Sequence, residues 1–277
     1  MKFTKMHGLG NDYIYVNMFA ETLDNPAEAS RKLSDRHYGI GSDGLVLIMP
    51  SNKADFRMRM FNPDGSEAEM CGNAIRCVGK YVYDNRMTKM DIIDIETMSG
   101  IKRLFLNVVS GRVETVEVNM GKPILDPLLI PAICRSDRCV NEEISVLGRE
   151  YRFTAVSMGN PHCIIYLDDM EDLDIGRIGP MFEKHPIFPQ RTNTEFVKVI
   201  SRTCLRMRVW ERGTGETLAC GTGACAVLVA SVLNGLSERN AVVRLLGGDL
   251  RIRWSDSDEN VYMEGPAVKV FDGDVDI

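Results

Sequence analysis

Apolar residues along this chain fall mostly in short alternating runs, and only four stretches carry a helical period. Residues 3–7 and 13–16 read as strands on either side of the polar turn Gly8-Leu9-Gly10-Asn11-Asp12. A helix is expected over 25–38, with Pro26 near its start, followed by a glycine-rich loop at 39–44 and a buried strand at 45–48. Residues 55–61 alternate as a strand, and Asn62-Pro63-Asp64-Gly65-Ser66 is a turn. The second helix spans 72–85, with Ile75, Val78, Tyr81 and Val82 on one face. Strand-rich segments at 91–108 and 112–120 lead to Gly121-Lys122-Pro123, a joint between halves. The stretch 124–140 has no usable pattern. Strands resume at 144–146, 151–156 and 163–166, then a helix at 173–184 and strands at 194–200 and 204–210. The last helix, 223–233, is apolar nearly all round and so belongs in an interior. Strands at 241–254 and 260–264 close this half.

The two halves repeat each other. Arg57-Met58-Arg59-Met60-Phe61, then Glu67 and Cys71-Gly72, recur 149 residues later as Arg206-Met207-Arg208-Val209-Trp210, Glu216 and Cys220-Gly221. The same offset places Gly10-Asn11 on Gly159-Asn160. A period of this length points to two copies of one domain, not to a solenoid. The expected fold class is therefore α/β (α+β): two pseudo-symmetric domains, each a strand-rich, barrel-like sheet around a central helix. Residues 1–120 form the half carrying Cys71, and 121–265 the half carrying Cys220. The tail 266–277 is expected to return to the first half as a strand.

Composition narrows the function classes. The 277 residues are 44% hydrophobic and 26% charged, as in soluble globular proteins. A net charge of -6 leaves no footprint for nucleic acid or an anionic membrane, and no apolar run is long enough to span a bilayer. A cytoplasmic location is the default expectation. With no export signal, the eight cysteines are expected as thiols, and their spacing lacks the paired C-x-x-C of a structural zinc site, so no metal is expected. No cofactor is indicated either. Gly8-x-Gly10 lacks the third glycine and the helix of a dinucleotide loop, there is no Walker motif, and nothing marks a Schiff-base lysine.

The chemistry lies in the repeated cysteines. Cys71 and Cys220 each stand where a helix begins, and the N–H groups and positive dipole end there favour a thiolate. The backbone of Gly72, Asn73, Gly221 and Thr222 would bind a carboxylate. One such cysteine reads as a small apolar residue, but two at equivalent places read as function. If the copies are related by an approximate twofold, the two sulfurs flank one carbon: one removes a proton, the other returns one to the far face, and the centre is inverted. The copies differ where substrate orientation would be set. Gly44 matches Asn193, Asn62 matches Glu211, Pro63 matches Arg212, and Tyr13 matches His162. Glu211 can recognise an ammonium and Arg212 a carboxylate, and both His162 and Glu211 can influence which thiol is ionised.

These residues resemble a known family. Asn62-x-Asp64-Gly65-Ser66-x4-Cys71-Gly72-Asn73-Ala74-x-Arg76 is similar to the signature of the diaminopimelate epimerases. The match continues through residues 3–12, Gly159-Asn160-Pro161-His162 and the run from Glu211 to Gly223. The resemblance implies a cofactor-independent enzyme that interconverts LL- and meso-2,6-diaminopimelate, supplying lysine and cell-wall precursors. It implies Cys71 as acid and Cys220 as base in the LL-to-meso direction. It assigns substrate binding to Asn11, Asn62, Asn160, Asn193, Glu211 and Arg212, with the backbone of Gly72, Asn73, Gly221 and Thr222, and tuning of the cysteines to His162 and Glu211. A homodimer is the common expectation for the family. Gly44 departs from the pattern, since many members carry Gln there. A proline-racemase-like isomerase of the same fold, a thiol redox protein and an amino-acid-binding module are the rival readings.

Overall fold

The chain opens on a two-residue hairpin. Strands β1 (Lys2–Gly8) and β2 (Asn11–Asn17) pair antiparallel, closing at Gly8–Asn11. Leu9 and Gly10 both take positive φ, 57° and 83°, the primed turn whose twist suits two adjacent strands. Helix α1 (Pro26–Ser34) then carries the chain to β3 (Leu45–Met49), which lies parallel to β2. Asn25 caps the helix by accepting the N–H of Glu28. It ends four residues short of the expected 38 because the Asp35 carboxylate accepts the N–H groups of His37 and Tyr38, drawing the backbone out of the helix.

This computed structural model describes residues 1–277, which divide into two compact units. Unit 1 consists of Met1–Asn119 with Glu264–Ile277, and unit 2 of Met120–Met263. In unit 1, β3 pairs with β4 (Phe56–Phe61), against which the short β5 (Glu67–Ala68) folds back. Helix α2 (Gly72–Asp84) follows and packs on β1, β2 and β7 (Gly100–Val109). Strand β6 (Ile92–Thr97) lies parallel to β4 and antiparallel to β7, and β8 (Arg112–Gly121) pairs with β7. Ile14, Leu45, Leu47, Phe61 and Leu33 form a core beneath α1.

Unit 2 repeats this order. After β9 (Glu142–Val146), strands β10 (Arg149–Ser157) and β11 (Pro161–Tyr166) form the hairpin, and α3 (Ile175–Glu183) crosses to β12 (Asn193–Ser201), parallel to β11. Strand β13 (Cys204–Glu211) is antiparallel to β12, β14 (Gly215–Thr217) folds back on it, and α4 (Gly221–Leu233) begins. Strands β15 (Asn240–Leu245) and β16 (Gly248–Trp254) complete the unit. The helix bounds keep the sequence offset: adding 149 to those of α1 and α2 gives those of α3 and α4. Residues Ala224–Ser231 of α4 are all buried, which accounts for its apolar character on every side. The chain returns to unit 1 within β17 (Val261–Pro266), and β18 (Val268–Asp274) pairs antiparallel with β1.

One sequence expectation needs correcting. The cysteines are not all thiols: Cys134 and Cys139 are joined by a disulfide, five residues apart, with Cα atoms 5.6 Å from one another. A turn brings them within bridging range, which spacing alone did not disclose. The unpatterned stretch 124–140 is held by isolated anchors instead of a period. Ile130, Ala132 and Cys139 are buried in the core with Phe153, Phe182 and Phe196.

Candidate active site

In unit 1, the extended residue before α2 is Cys71, so its thiol stands at the N-cap of the helix. Its S–H donates to Asn11 Oδ1 at 3.3 Å, and Asn73 Nδ2 donates to the same oxygen at 3.5 Å. Asn11 is itself aimed by Asp43, which accepts from Nδ2 at 2.7 Å. Gly72 and Asn73 are buried in the first turn. Asn62 sits at the start of the turn after β4, its Nδ2 donating to Ser66 Oγ at 2.9 Å. Tyr13 was noted in the sequence only as the counterpart of His162. Burial, and next the neighbouring Cys71, push its hydroxyl well above the ordinary range. Tyr13, beside the thiol, and Asp43, which reaches it through Asn11, are thus residues that motif reading did not assign.

Gly44 has a physical reason. Its φ is +148°, and a Cβ there would lie 2.2 Å from the Phe61 carbonyl oxygen and 3.0 Å from the Tyr13 ring. No residue with a side chain fits this backbone without a shift.

Unit 2 places Cys220 at the N-cap of α4, with its sulfur accepting the N–H of Gly223 at 3.4 Å and lying 3.5 Å from the Thr222 hydroxyl. Gly221 is buried and Thr222 half-buried. Helix position alone favours a thiolate, but the net balance is reversed. Burial, then the carboxylates of Glu211 and Glu195, push the Cys220 thiol well above its ordinary range, against the pull of Thr222 and Gly223. Glu211, at the end of β13, accepts from the Thr217 hydroxyl. Burial raises its carboxyl above the usual range, opposed by Thr217 and by His162.

His162 is fully buried on β11, its Nδ1 2.7 Å from Glu195 Oε1 and its Nε2 3.0 Å from Asn160 Oδ1. Asn193 bridges two backbone segments: Nδ2 donates to Pro161 O and Oδ1 accepts the N–H of Arg212, both at 2.9 Å. The exposed Arg212 side chain donates to Gln190 O. Within unit 2, contacts link Asn160 to His162 and Asn193 to Arg212, while His162 and Cys220 both act to lower the Glu211 carboxyl that burial raises.

Glu195 escaped sequence reading. The signal was a charge inside Thr192–Val197, a stretch buried throughout, where an ionisable group requires a partner. Glu183 was also missed: it accepts from Trp210 Nε1 at 2.7 Å and from the N–H of Gly213, bracing the turn that carries Glu211 and Arg212.

Comparison with known proteins agrees with this arrangement of elements. The sequence profile described as diaminopimelate epimerase matches residues 3–125 and 154–270. A diaminopimelate epimerase of Acetivibrio thermocellus is 63% identical over 277 residues, covering 100% of this chain and 99% of the relative. One from Methanococcus maripaludis is 59% identical, with all of both chains covered. Among solved structures, a hydroxyproline epimerase from Agrobacterium vitis shares the fold at a TM-score of 0.71 and 15% identity, over 99% of this chain and 91% of that one. On a profile covering most of its length and on full-length identities well above half, this chain belongs to the diaminopimelate epimerase family.

Proposed function

We propose that this chain inverts the α-carbon of LL-2,6-diaminopimelate to give the meso isomer, using Cys71 and Cys220 and no cofactor. The observation that carries the reading is the pair of thiols at the N-caps of two equivalent buried helices. The thiolate of Cys220 takes the α-proton of the LL isomer and becomes a thiol. The thiol of Cys71 gives its proton to the opposite face and becomes a thiolate. Solvent exchange afterwards resets both sulfurs, and the reverse reaction exchanges their roles. Each thiol is monoprotic, so the two must meet opposite faces of one carbon in the bound complex.

General acid–base transfer of this kind contributes about 10²–10⁴-fold. The remainder must come from fixed donors that stabilise the developing carbanion and its carboxylate. The N–H groups of Gly72, Asn73, Gly221 and Thr222 are suited to that task, because four first-turn donors in a helix have no internal acceptor. Asn11, Asn62, Asn160, Asn193, Glu211 and Arg212 bind the rest of the substrate, with Glu211 meeting an ammonium and Arg212 the distal carboxylate. Glu211 and His162 also tune Cys220. A substrate ammonium beside Glu211 offsets the charge that holds the Cys220 proton, so ionisation of the base is coupled to substrate binding.

The reading carries a cytoplasmic location, the default expectation from the sequence, and a homodimer, the expectation from the family; sedimentation of the purified chain checks the second. No helix is long and apolar enough to cross a membrane. The reaction is checked by incubating the chain with LL-diaminopimelate in deuterated water. Deuterium at the α-carbon together with meso product is expected, and each single Cys→Ala variant is expected to lose inversion. Folded protein that gives neither exchange nor meso product rules the reading out, while retained substrate affinity without turnover would favour a binding module.

A further inference from the structure

The two units differ at three touching positions whose changes go together. Where unit 1 has Tyr13 on β2, Val46 on β3 and Ala74 in the first turn of α2, unit 2 has His162, Glu195 and Gly223 at the same offset. Val46 and Glu195 are both fully buried, so the strand accepts an apolar side chain here and has no need of a carboxylate for folding. Gly223 makes the room: a Cβ at that position would lie 2.6 Å from Glu195 Oε1 and 3.2 Å from Cys220 Sγ. Glu195 Oε1 faces His162 Nδ1 at 2.7 Å, whereas its other oxygen, Oε2, is buried with no hydrogen-bond partner. A carboxylate held this way is costly to bury, and packing alone would favour the valine of the other unit.

We propose that Glu195 is a positioning residue that acts through His162 to orient the side-chain amide of Asn160. This inference rests on the reading above, in which Asn160 binds substrate. An ionised carboxylate only accepts, so Glu195 commits Nδ1 of His162 to donating. The remaining ring nitrogen, Nε2, faces Asn160 Oδ1, 3.0 Å away, an amide oxygen that takes a hydrogen bond only from a protonated Nε2. A ring with Nδ1 protonated and Nε2 bare would instead present a lone pair and take the amide NH2 of Asn160, turning the amide oxygen toward the opposite side. A ring protonated at both nitrogens takes the oxygen and turns the NH2 outward. Without Glu195 the neutral ring is released from the Nδ1–H tautomer, and Asn160 loses its fixed orientation. The pair therefore sets which polar atom Asn160 offers to a ligand, much as a carboxylate fixes the imidazole tautomer in hydrolytic triads.

The test uses the full chain and five variants: Glu195→Gln, Glu195→Val, Asn160→Ala, Glu195→Gln combined with Asn160→Ala, and His162→Phe for assignment. Nitrogen-15 spectra of ring-labelled histidine read the tautomer, with the His162 signals assigned by their absence in His162→Phe. The wild type is expected to show a protonated Nδ1, and Glu195→Val, the side chain unit 1 already accommodates, is expected to move the neutral ring to Nε2–H. Glu195→Gln is expected to lower kcat/KM for LL-diaminopimelate roughly 10–100-fold, the usual scale for losing a partner that orients a ligating imidazole. In the Asn160→Ala background the same change is expected to cost less than about twofold, because the two residues act in series. An unchanged Nδ1 signal in both Glu195 variants, or equal losses with and without Asn160, overturns the proposal. A wild type with no epimerase activity overturns the functional reading alone, and the ring spectra still judge Glu195.

Discussion

Single residues show most clearly what pattern reading reaches and what it misses. Cys71, Cys220 and Glu211 were legible because each sits in a repeated phrase whose agreements and differences both carry meaning. Gly44 was legible only as a departure. Its cause is the backbone, since φ is +148° and the Phe61 carbonyl stands 2.2 Å from where a Cβ would be. Gly44→Gln is therefore expected to destabilise unit 1, by about 1–3 kcal/mol for the backbone strain alone, and to lower its thermal midpoint without restoring any contact. A Gln variant as stable as the parent would show that the β2–α1–β3 segment adapts freely. Glu195 was not legible, because a strand buried on both faces has no alternation against which a charge stands out.

At the scale of elements, the repeated Arg and Glu acquire a role that their recurrence alone did not specify. Arg59 makes a two-pronged ion pair with Glu67, at 2.7 and 2.8 Å, and Arg208 does the same with Glu216, at 2.7 and 3.2 Å. Each pair clips the short return strand, β5 or β14, to its partner just before a cysteine-capped helix begins. The shared phrase is therefore a positioning device for the thiols as much as a record of duplication. Arg208→Leu is expected to cost about 1 kcal/mol of stability, as partly exposed pairs do, and to lower kcat more than that stability loss explains. Urea unfolding set beside steady-state kinetics checks this, and an unaltered kcat would mean that β14 does not position Cys220. Helix ends were less legible, since α1 stops where the Asp35 carboxylate captures two N–H groups, a competition that periodicity does not register.

Across the whole chain, duplication was the most legible property, because an offset of 149 residues is preserved in both sequence and helix bounds. The disulfide and the segment 124–140 were not, since they depend on which isolated side chains find a core. Buried ionisable groups also give the chain a pH signature. Burial raises the Cys77 thiol from its ordinary 9 to about 11, partly offset by Tyr15 and Arg76, and the Tyr13 and Tyr15 hydroxyls are raised as well. A raised folded-state pKa stabilises fully below the unfolded value and is lost as pH climbs through the folded one. Stability to urea is thus expected to fall between pH 9 and about 11, more shallowly in Cys77→Ala, by up to ~1.4 kcal/mol per pH unit for Cys77, with Tyr13 and Tyr15 adding to the slope only above their ordinary 10. A flat midpoint over that window would contradict the assigned burial.

The central claim is that two separate monoprotic thiols serve the two faces of one carbon. The most direct measurement follows the first turnovers of LL-diaminopimelate in deuterated water, with product and remaining substrate analysed separately. Two thiols predict deuterium at the inverted carbon of the new meso isomer and almost none in the recovered LL isomer. Deuterium entering recovered substrate as fast as product would mean that one group serves both faces, and the two-thiol account would fail.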